Sequence, residues 1–273
     1  MSKHLQSPRT TVPGLRGRKG GEKIVCLTAY TTPIAQLLDA HCDLLLVGDS
    51  VGMVVHGLTT TVGVTVEMMI LHGRAVVRGS SRALVVVDLP FGSYERSPEQ
   101  AFDTATRILC ETGAQAVKVE AAGGVAESIS FMTARGIPVV GHVGLRPQAV
   151  NIDGGFKARG RTEEERERVL AEARATDAAG AFAMVVEGVT PELAGEVTAA
   201  VSVPTIGIGA GEACDGQILV IDDMLGLFSR TPKFVRRYAD LRSTIDKAVL
   251  AYAEDVRAGS FPAENESYRL KAR

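Results

Sequence analysis

ALVVVDLPFGSYERSPEQAFDTATRILCETGAQAVKVE, residues 83–120, reads as a buried strand, a capped helix and a second buried strand. LVVV and AVKV are short, almost wholly apolar runs rich in β-branched residues. Parallel strands covered on both faces require that pattern. Between them Ser97, Pro98 and Gln100 mark a helix start: a side-chain cap, a proline at the first helical position and a capping-box glutamine. Gly113 ends the helix, because glycine takes the left-handed closing conformation without a Cβ clash.

Outward from this unit the same alternation continues in both directions. Further strand runs are IVCLTAY (24–30), LLLVGD (44–49), IPVVGH (137–142), AFAMVVE (181–187), VPTIGIG (203–209) and GQILVID (216–222). Thr162 and Glu165 form a second capping box, and the acids at 163–165 suit the positive end of a helix dipole. Gly180 ends that helix and Thr190-Pro191 opens the next. Eight strands alternating with helices predict an α/β fold, a (β/α)8 TIM barrel. A doubly wound open sheet is the alternative, and it would leave edge strands that need polar blunting. No linker rich in Pro, Gly or Ser interrupts the pattern, so residues 24–273 are expected to form a single catalytic domain. Residues 1–23, with six Lys or Arg and only Glu22 as an acid, read as a flexible basic N-terminal arm. Two long connections, 52–65 and 143–161, follow strand ends, where barrels build loops and lids.

Composition narrows the function classes. Of the 273 residues 45% are hydrophobic and 23% charged, and the net charge is −2, which gives no basic footprint for nucleic acid or an anionic membrane. Trp is missing and aromatics are 5%, which disfavours base-stacking platforms. Cys26, Cys42, Cys110 and Cys214 are dispersed, as expected of reduced thiols in a cytoplasmic protein. No apolar run approaches the roughly 18 residues of a membrane span.

Five strands end in a polar side chain directly after buried apolar ones: Asp49, Asp88, Glu120, His142 and Glu187. Any one of them is as well explained by a helix cap. Five at one rim of a barrel, where the C-terminal strand ends form active sites, read as chemistry. Lys118 and Glu120 lie two apart and face the same way, so a lysine inside the barrel needs a charged partner. Asp49, Asp88 and Glu120 offer only oxygens, a set that suits Mg²⁺ over Zn²⁺. IGIGAG (206–211) lacks the G-x-G-x-x-G spacing, and either close strand packing or anion binding by its N–H groups would explain it. His56 and His72 read as satisfied surface histidines. Asp215 precedes a strand and so belongs to the opposite, structural face.

These motifs together resemble the ketopantoate hydroxymethyltransferase family. LTAY, LLLVGDSVGM, VVVDLPFGSY, AVKVE, VGHVGLRPQ, IGIGAG and DGQILV occur in order, and TPKFVRRYAD extends the match toward the C-terminus. The resemblance implies a barrel related to phosphoenolpyruvate mutase and isocitrate lyase. It also implies transfer of a hydroxymethyl group from 5,10-methylenetetrahydrofolate to 3-methyl-2-oxobutanoate, an early step of pantothenate and coenzyme A biosynthesis. By motif, Asp49 and Asp88 would hold one Mg²⁺, and Glu120 would ligate it directly or through water. Ser50 and Lys118 would bind the oxo acid, His142 would line its pocket and Glu187 would be the base. A cytoplasmic homo-oligomer, a decamer, is also implied. Two departures stand out: Ala121 and Ala122 replace a usual Gly-Gly, and Thr31 replaces a usual Asp. A carbon–carbon lyase of the same superfamily would carry a Lys-Lys-Cys-Gly-His-type segment, which the chain lacks. A catalytically silent scaffold would have lost rim acids, and all are present.

Overall fold

A computed structural model of the chain describes residues 9–269. Eight parallel strands close into a barrel in sequence order: β1 Ile24–Thr28, β2 Leu44–Val47, β3 Leu84–Asp88, β4 Ala116–Glu120, β5 Val139–Gly144, β6 Ala183–Glu187, β7 Thr205–Ile208 and β8 Gly216–Leu219. β8 pairs back onto β1, with Cys26 opposite Ile218, so no edge strand remains and the open-sheet alternative falls. Every strand run found in the sequence is a barrel strand.

The helix signals act locally as expected, with one change of detail. Ser97 accepts a hydrogen bond from the N–H of Gln100 at 3.2 Å, and Gly113 closes the helix at φ 78°. Thr162 accepts from the N–H of Glu165 in the same way. The returning side chains reach one residue further back than a standard capping box. Gln100 accepts from the N–H of Arg96 and Glu165 from that of Arg161, each at 3.0 Å.

Barrel packing sets up the site. Ile24, Cys26, Leu44, Leu46, Leu84, Val86, Ala116, Val140, Val185, Ile206 and Ile218 form one buried interior cluster with Leu15. Alternate residues of a strand face the same way. The next inward positions above Val86, Ala116, Val140 and Val185 are therefore Asp88, Lys118 with Glu120, His142 and Glu187. Outside the barrel, Met184 and Val186 pack on Val169, Leu170, Ala173, Leu193 and Val197 of the flanking helices.

The basic arm expected over residues 1–23 is corrected over residues 9–23. Leu15, on the short helix Val12–Arg16, is 0% exposed within the interior cluster. Arg9 donates to the Ala83 and Ser80 carbonyls at 2.7 and 2.5 Å, and Arg18 pairs with Asp43 at 2.5 Å. Lys19 and the Gly20 N–H bind Asp215 at 3.1 and 2.9 Å. The positive charges thus satisfy carbonyls and acids at the N-terminal end of the barrel, and burial of Leu15 contributes about 1.5–3 kcal/mol. Asp215 lies on this face, as the sequence suggested. Residues 1–8 of the arm lie outside the described residues.

The single domain expected over 24–273 also changes, because the chain divides between Ile221 and Asp222 into two compact units. The main element of the second is the 18-residue helix Leu241–Ala258. It is capped by Asp240, which accepts from the N–H of Ser243, and closed by Gly259 at φ 73°. Its Ile245, Val249, Leu250, Tyr252 and Val256 are exposed. Among the described residues no helix is long and apolar enough to cross a membrane.

Candidate active site

All seven site residues expected from sequence sit in or just after the C-terminal halves of five neighbouring strands. Asp49 and Ser50 directly follow β2 and Gly48. A Cβ on Gly48 would lie 2.8 Å from Ser50 Oγ and 3.6 Å from Asp88 Oδ2, so glycine there leaves room for both side chains. The N–H of Asp49 donates to Asp88 Oδ2 at 3.0 Å, tying the ends of β2 and β3 together. Ser50 faces outward from this pair toward Tyr30, with its Oγ 2.8 Å from the phenol oxygen.

Lys118 is the central cation. Its Nζ lies 3.1 Å from Asp88 Oδ1 and 3.3 Å from His142 Nδ1, which answers the requirement that a lysine inside the barrel be paired. With the ammonium donating to Nδ1, the ring proton of neutral His142 belongs on Nε2, which stands 3.1 Å from Glu187 Oε2. Lys118, His142 and Glu187 thus form one row across β4, β5 and β6. Glu120 is turned elsewhere. Its oxygens accept from the N–H of Gln148 at 3.2 and 3.3 Å, and His142 Nδ1 is 3.9 Å from Oε1.

The sequence did not single out Gln148 or Tyr94, although both lie within matched motifs. Gln148 Nε2 donates to Asp49 Oδ2 at 2.7 Å and to the Leu89 carbonyl at 3.0 Å. Tyr94 donates to Gln148 Oε1 at 2.7 Å and accepts from the Glu120 N–H at 3.2 Å. Both side chains are buried. The available signal was a polar residue within a loop that follows a strand end. His72 corrects the surface reading: it is buried, with Nδ1 2.7 Å from the Tyr30 carbonyl and Nε2 2.9 Å from His56 Nε2. In IGIGAG close packing is evident, since a Cβ on Gly207 would lie 3.1 Å from Cys214 Sγ.

Charge is crowded here. Burial raises the pKa of Asp49 against the pull of Lys118, and raises Asp88 to about 7 with the Asp49 charge adding to it. Burial and Asp49 push Glu120 well up. Burial opposes the charge on Lys118, but Asp88, Asp49 and Glu120 outweigh it and raise its pKa. Burial and then Lys118 lower His142, which keeps it neutral. Three buried carboxylates around one ammonium leave a local excess of negative charge, and Asp88 Oδ1 is buried with no hydrogen bond of acceptable angle. A divalent cation would relieve both conditions. Among the described residues no three or more His, Cys, Asp or Glu side chains gather as a metal cage. The fit is therefore to a hard cation held by the Asp49 and Asp88 pair with water or substrate oxygens, the arrangement Mg²⁺ favours.

The chain is similar to known proteins along almost its whole length. The pattern of the family described as ketopantoate hydroxymethyltransferase matches residues 9–264. The 3-methyl-2-oxobutanoate hydroxymethyltransferase of Phenylobacterium zucineum is 67% identical over the whole of both chains. Its namesake from Caulobacter vibrioides is 64% identical over 99% of each. Among solved structures, 2,3-dimethylmalate lyase of the PEP mutase/isocitrate lyase superfamily aligns with a TM-score of 0.59. It does so at 17% identity over 95% of this chain and 92% of its own. Phosphonopyruvate hydrolase in complex with oxalate and Mg²⁺ aligns with a TM-score of 0.60, at 14% identity over 96% and 93%. At such identities these two structures speak for the fold alone.

Proposed function

The chain belongs to the ketopantoate hydroxymethyltransferase family, and from that membership we propose that it moves a hydroxymethyl group from 5,10-methylenetetrahydrofolate to 3-methyl-2-oxobutanoate, giving 2-dehydropantoate. The observation that carries the reading is the row Asp88, Lys118, His142 and Glu187 on four consecutive strand ends. It sets an anion-binding cation and a carboxylate base on either side of a neutral imidazole.

Asp49 and Asp88 would hold Mg²⁺, with Glu120 as the outer carboxylate and Gln148 fixing Asp49. The all-oxygen donor set supports this choice of ion. A bound Mg²⁺ supplies Lewis-acid polarisation of the ketone. Lys118 presents positive charge to the oxo acid's oxygens and to the oxyanion that develops there. Ser50 donates to the substrate carboxylate, and His142 closes the pocket while holding the Glu187 carboxylate. Glu187, with a side chain 18% exposed, takes the proton from C3. The C3 electron pair then forms a carbon–carbon bond to the methylene carbon of the donor as a carbon–nitrogen bond breaks. Water then breaks the second carbon–nitrogen bond and supplies the hydroxyl oxygen, and tetrahydrofolate is released with one of its two freed nitrogens taking the proton removed from C3 and the other a proton from water.

The same reading includes a cytoplasmic homo-oligomer, a decamer, and the exposed apolar side chains of helix Leu241–Ala258 support assembly. Sedimentation at micromolar concentration checks this; a single 28.8 kDa species removes it. The test of the activity is direct. Purified protein with 3-methyl-2-oxobutanoate, methylenetetrahydrofolate and Mg²⁺ must form 2-dehydropantoate, and no product above the uncatalysed background would end the reading.

A further inference from the structure

Two histidines that take no part in the proposed chemistry form a chain of contacts that ends on Ser50. His72 lies on the inner face of the helix Val66–Gly79 and is buried. Its Nδ1 stands 2.7 Å from the Tyr30 carbonyl oxygen, and its Nε2 stands 2.9 Å from His56 Nε2. A carbonyl oxygen only accepts, so Nδ1 must carry a proton and donate it to Tyr30. With one proton on each ring, Nε2 of His72 accepts and Nε2 of the exposed His56 donates. The two rings meet edge to face, their planes 78° apart.

Both ends of the chain grip a segment that sets Ser50. Tyr30, two residues past β1, is buried, and its phenol oxygen lies 2.8 Å from Ser50 Oγ. His56 closes the turn after the short helix Val51–Val54, which starts at the residue following Ser50. The helix that carries His72 is itself held against the turn after Tyr30. Thr32 Oγ1 donates to the Ala75 carbonyl at 2.8 Å. A Cβ on Gly79 would stand 2.5 Å from the Thr32 carbonyl oxygen, so glycine permits this close approach. From that anchored helix one imidazole holds the Tyr30 backbone on one side and the loop behind Ser50 on the other. An apolar side chain of similar size would fill the same space with no polar atoms to satisfy, so packing does not account for a ring with both nitrogens engaged.

We infer that His72 is a positioning residue for recognition of the oxo-acid carboxylate, acting through Tyr30 on Ser50. With its backbone held, Tyr30 donates its phenol proton to Ser50 Oγ, which leaves the serine proton for the carboxylate. His56 secures the same imidazole from the solvent side. The inference rests on the proposed function, since Ser50 has this task only if an oxo acid binds beside Asp49.

The test uses the full chain with Mg²⁺, titrated calorimetrically with 3-methyl-2-oxobutanoate, with steady-state KM and kcat measured alongside. His72→Asn places an amide N–H where Nδ1 stands and keeps the bond to Tyr30. His72→Gln places its amide at the Nε2 position and loses that bond. The Gln variant should weaken oxo-acid binding and raise its KM about tenfold, the upper end for one lost hydrogen bond. Its kcat and Mg²⁺ affinity should stay within about twofold of the parent's, and the Asn variant should recover most of the lost binding. Ser50→Ala should weaken binding by itself, and adding His72→Gln to it should cost less than about twofold more, because the two act in series. Parent-like binding by His72→Gln, equal losses in the Asn and Gln variants, or full additivity with Ser50→Ala overturns the inference. If His72→Gln does not fold, the exposed His56→Ala replaces it in the same cycle, and a parent-like KM there overturns the inference equally. A parent that makes product while any of these results holds removes the positioning role alone. A parent that neither binds the oxo acid nor makes product removes the functional reading itself.

Discussion

His142 Nε2 stands 3.1 Å from Glu187 Oε2 although the two residues belong to different strands. The β5–β6 register explains the approach. His142 is opposite Val185, so Glu187 lies one inward position above the imidazole. On its other side the ring meets Lys118, which is locked to Asp88. The imidazole therefore stands between the Lys118 ammonium and the Glu187 carboxylate without itself carrying charge.

Gln148 holds Asp49, Glu120 and Tyr94 together through four hydrogen bonds from one loop residue. Gln148→Ala should weaken Mg²⁺ binding by about 10–100-fold, the usual effect of removing a group that orients a metal ligand. Calorimetric titration of Mg²⁺ in the presence of the oxo acid measures it. An affinity equal to the parent's would show that Asp49 needs no such support.

Metal and proton should compete at Asp88. Its folded pKa of about 7 lies above the ordinary carboxyl value of about 3.9. The folded state therefore binds the extra proton between those limits. Stability from this group is fully present below about pH 4 and is lost as pH rises through about 7. Mg²⁺ requires the ionised carboxylate, so it should raise the thermal midpoint more at about pH 8 than at about pH 5.5. Asp88→Asn should shrink that difference. A metal-induced shift as large at the lower pH would contradict the assignment.

Leu15 fills the N-terminal end of the barrel interior. Leu15→Ala should cost about 2–5 kcal/mol by lost transfer and a residual cavity. It should lower the urea midpoint with the slope nearly unchanged. A loss below about 0.5 kcal/mol would mean the segment carrying Leu15 contributes little to the barrel.

The barrel was legible because its strands are buried on both faces, and continuous runs such as LVVV and AMVV have no other easy home. The site was legible in part for the same reason. A polar residue ending such a run must either leave the core or face the interior rim, so Asp88, Glu120, His142 and Glu187 announced themselves. Gln148 and Tyr94 did not, because each lies in a loop whose path depends on long-range closure. Leu15 was hidden by the charges around it: Arg9, Arg18 and Lys19 read as a solvated arm until their partners at Ala83, Asp43 and Asp215 are known. His72 looked like a surface residue because its partners, Tyr30 and His56, are 42 and 16 residues away.

The most direct measurement is exchange of the C3 hydrogen of 3-methyl-2-oxobutanoate in D₂O, with enzyme and Mg²⁺ but no one-carbon donor. Proton removal needs only the base and the polarised ketone, so the parent protein should exchange without folate. Glu187→Gln keeps the size and most hydrogen bonding of the side chain but cannot take a proton. Exchange should fall by about 10²–10⁴-fold, the range for loss of a general base. Binding of the oxo acid should survive through Asp49, Asp88 and Lys118. Exchange by the Gln variant at the parent rate would contradict the assignment and pass the role of base to another group, His142 first.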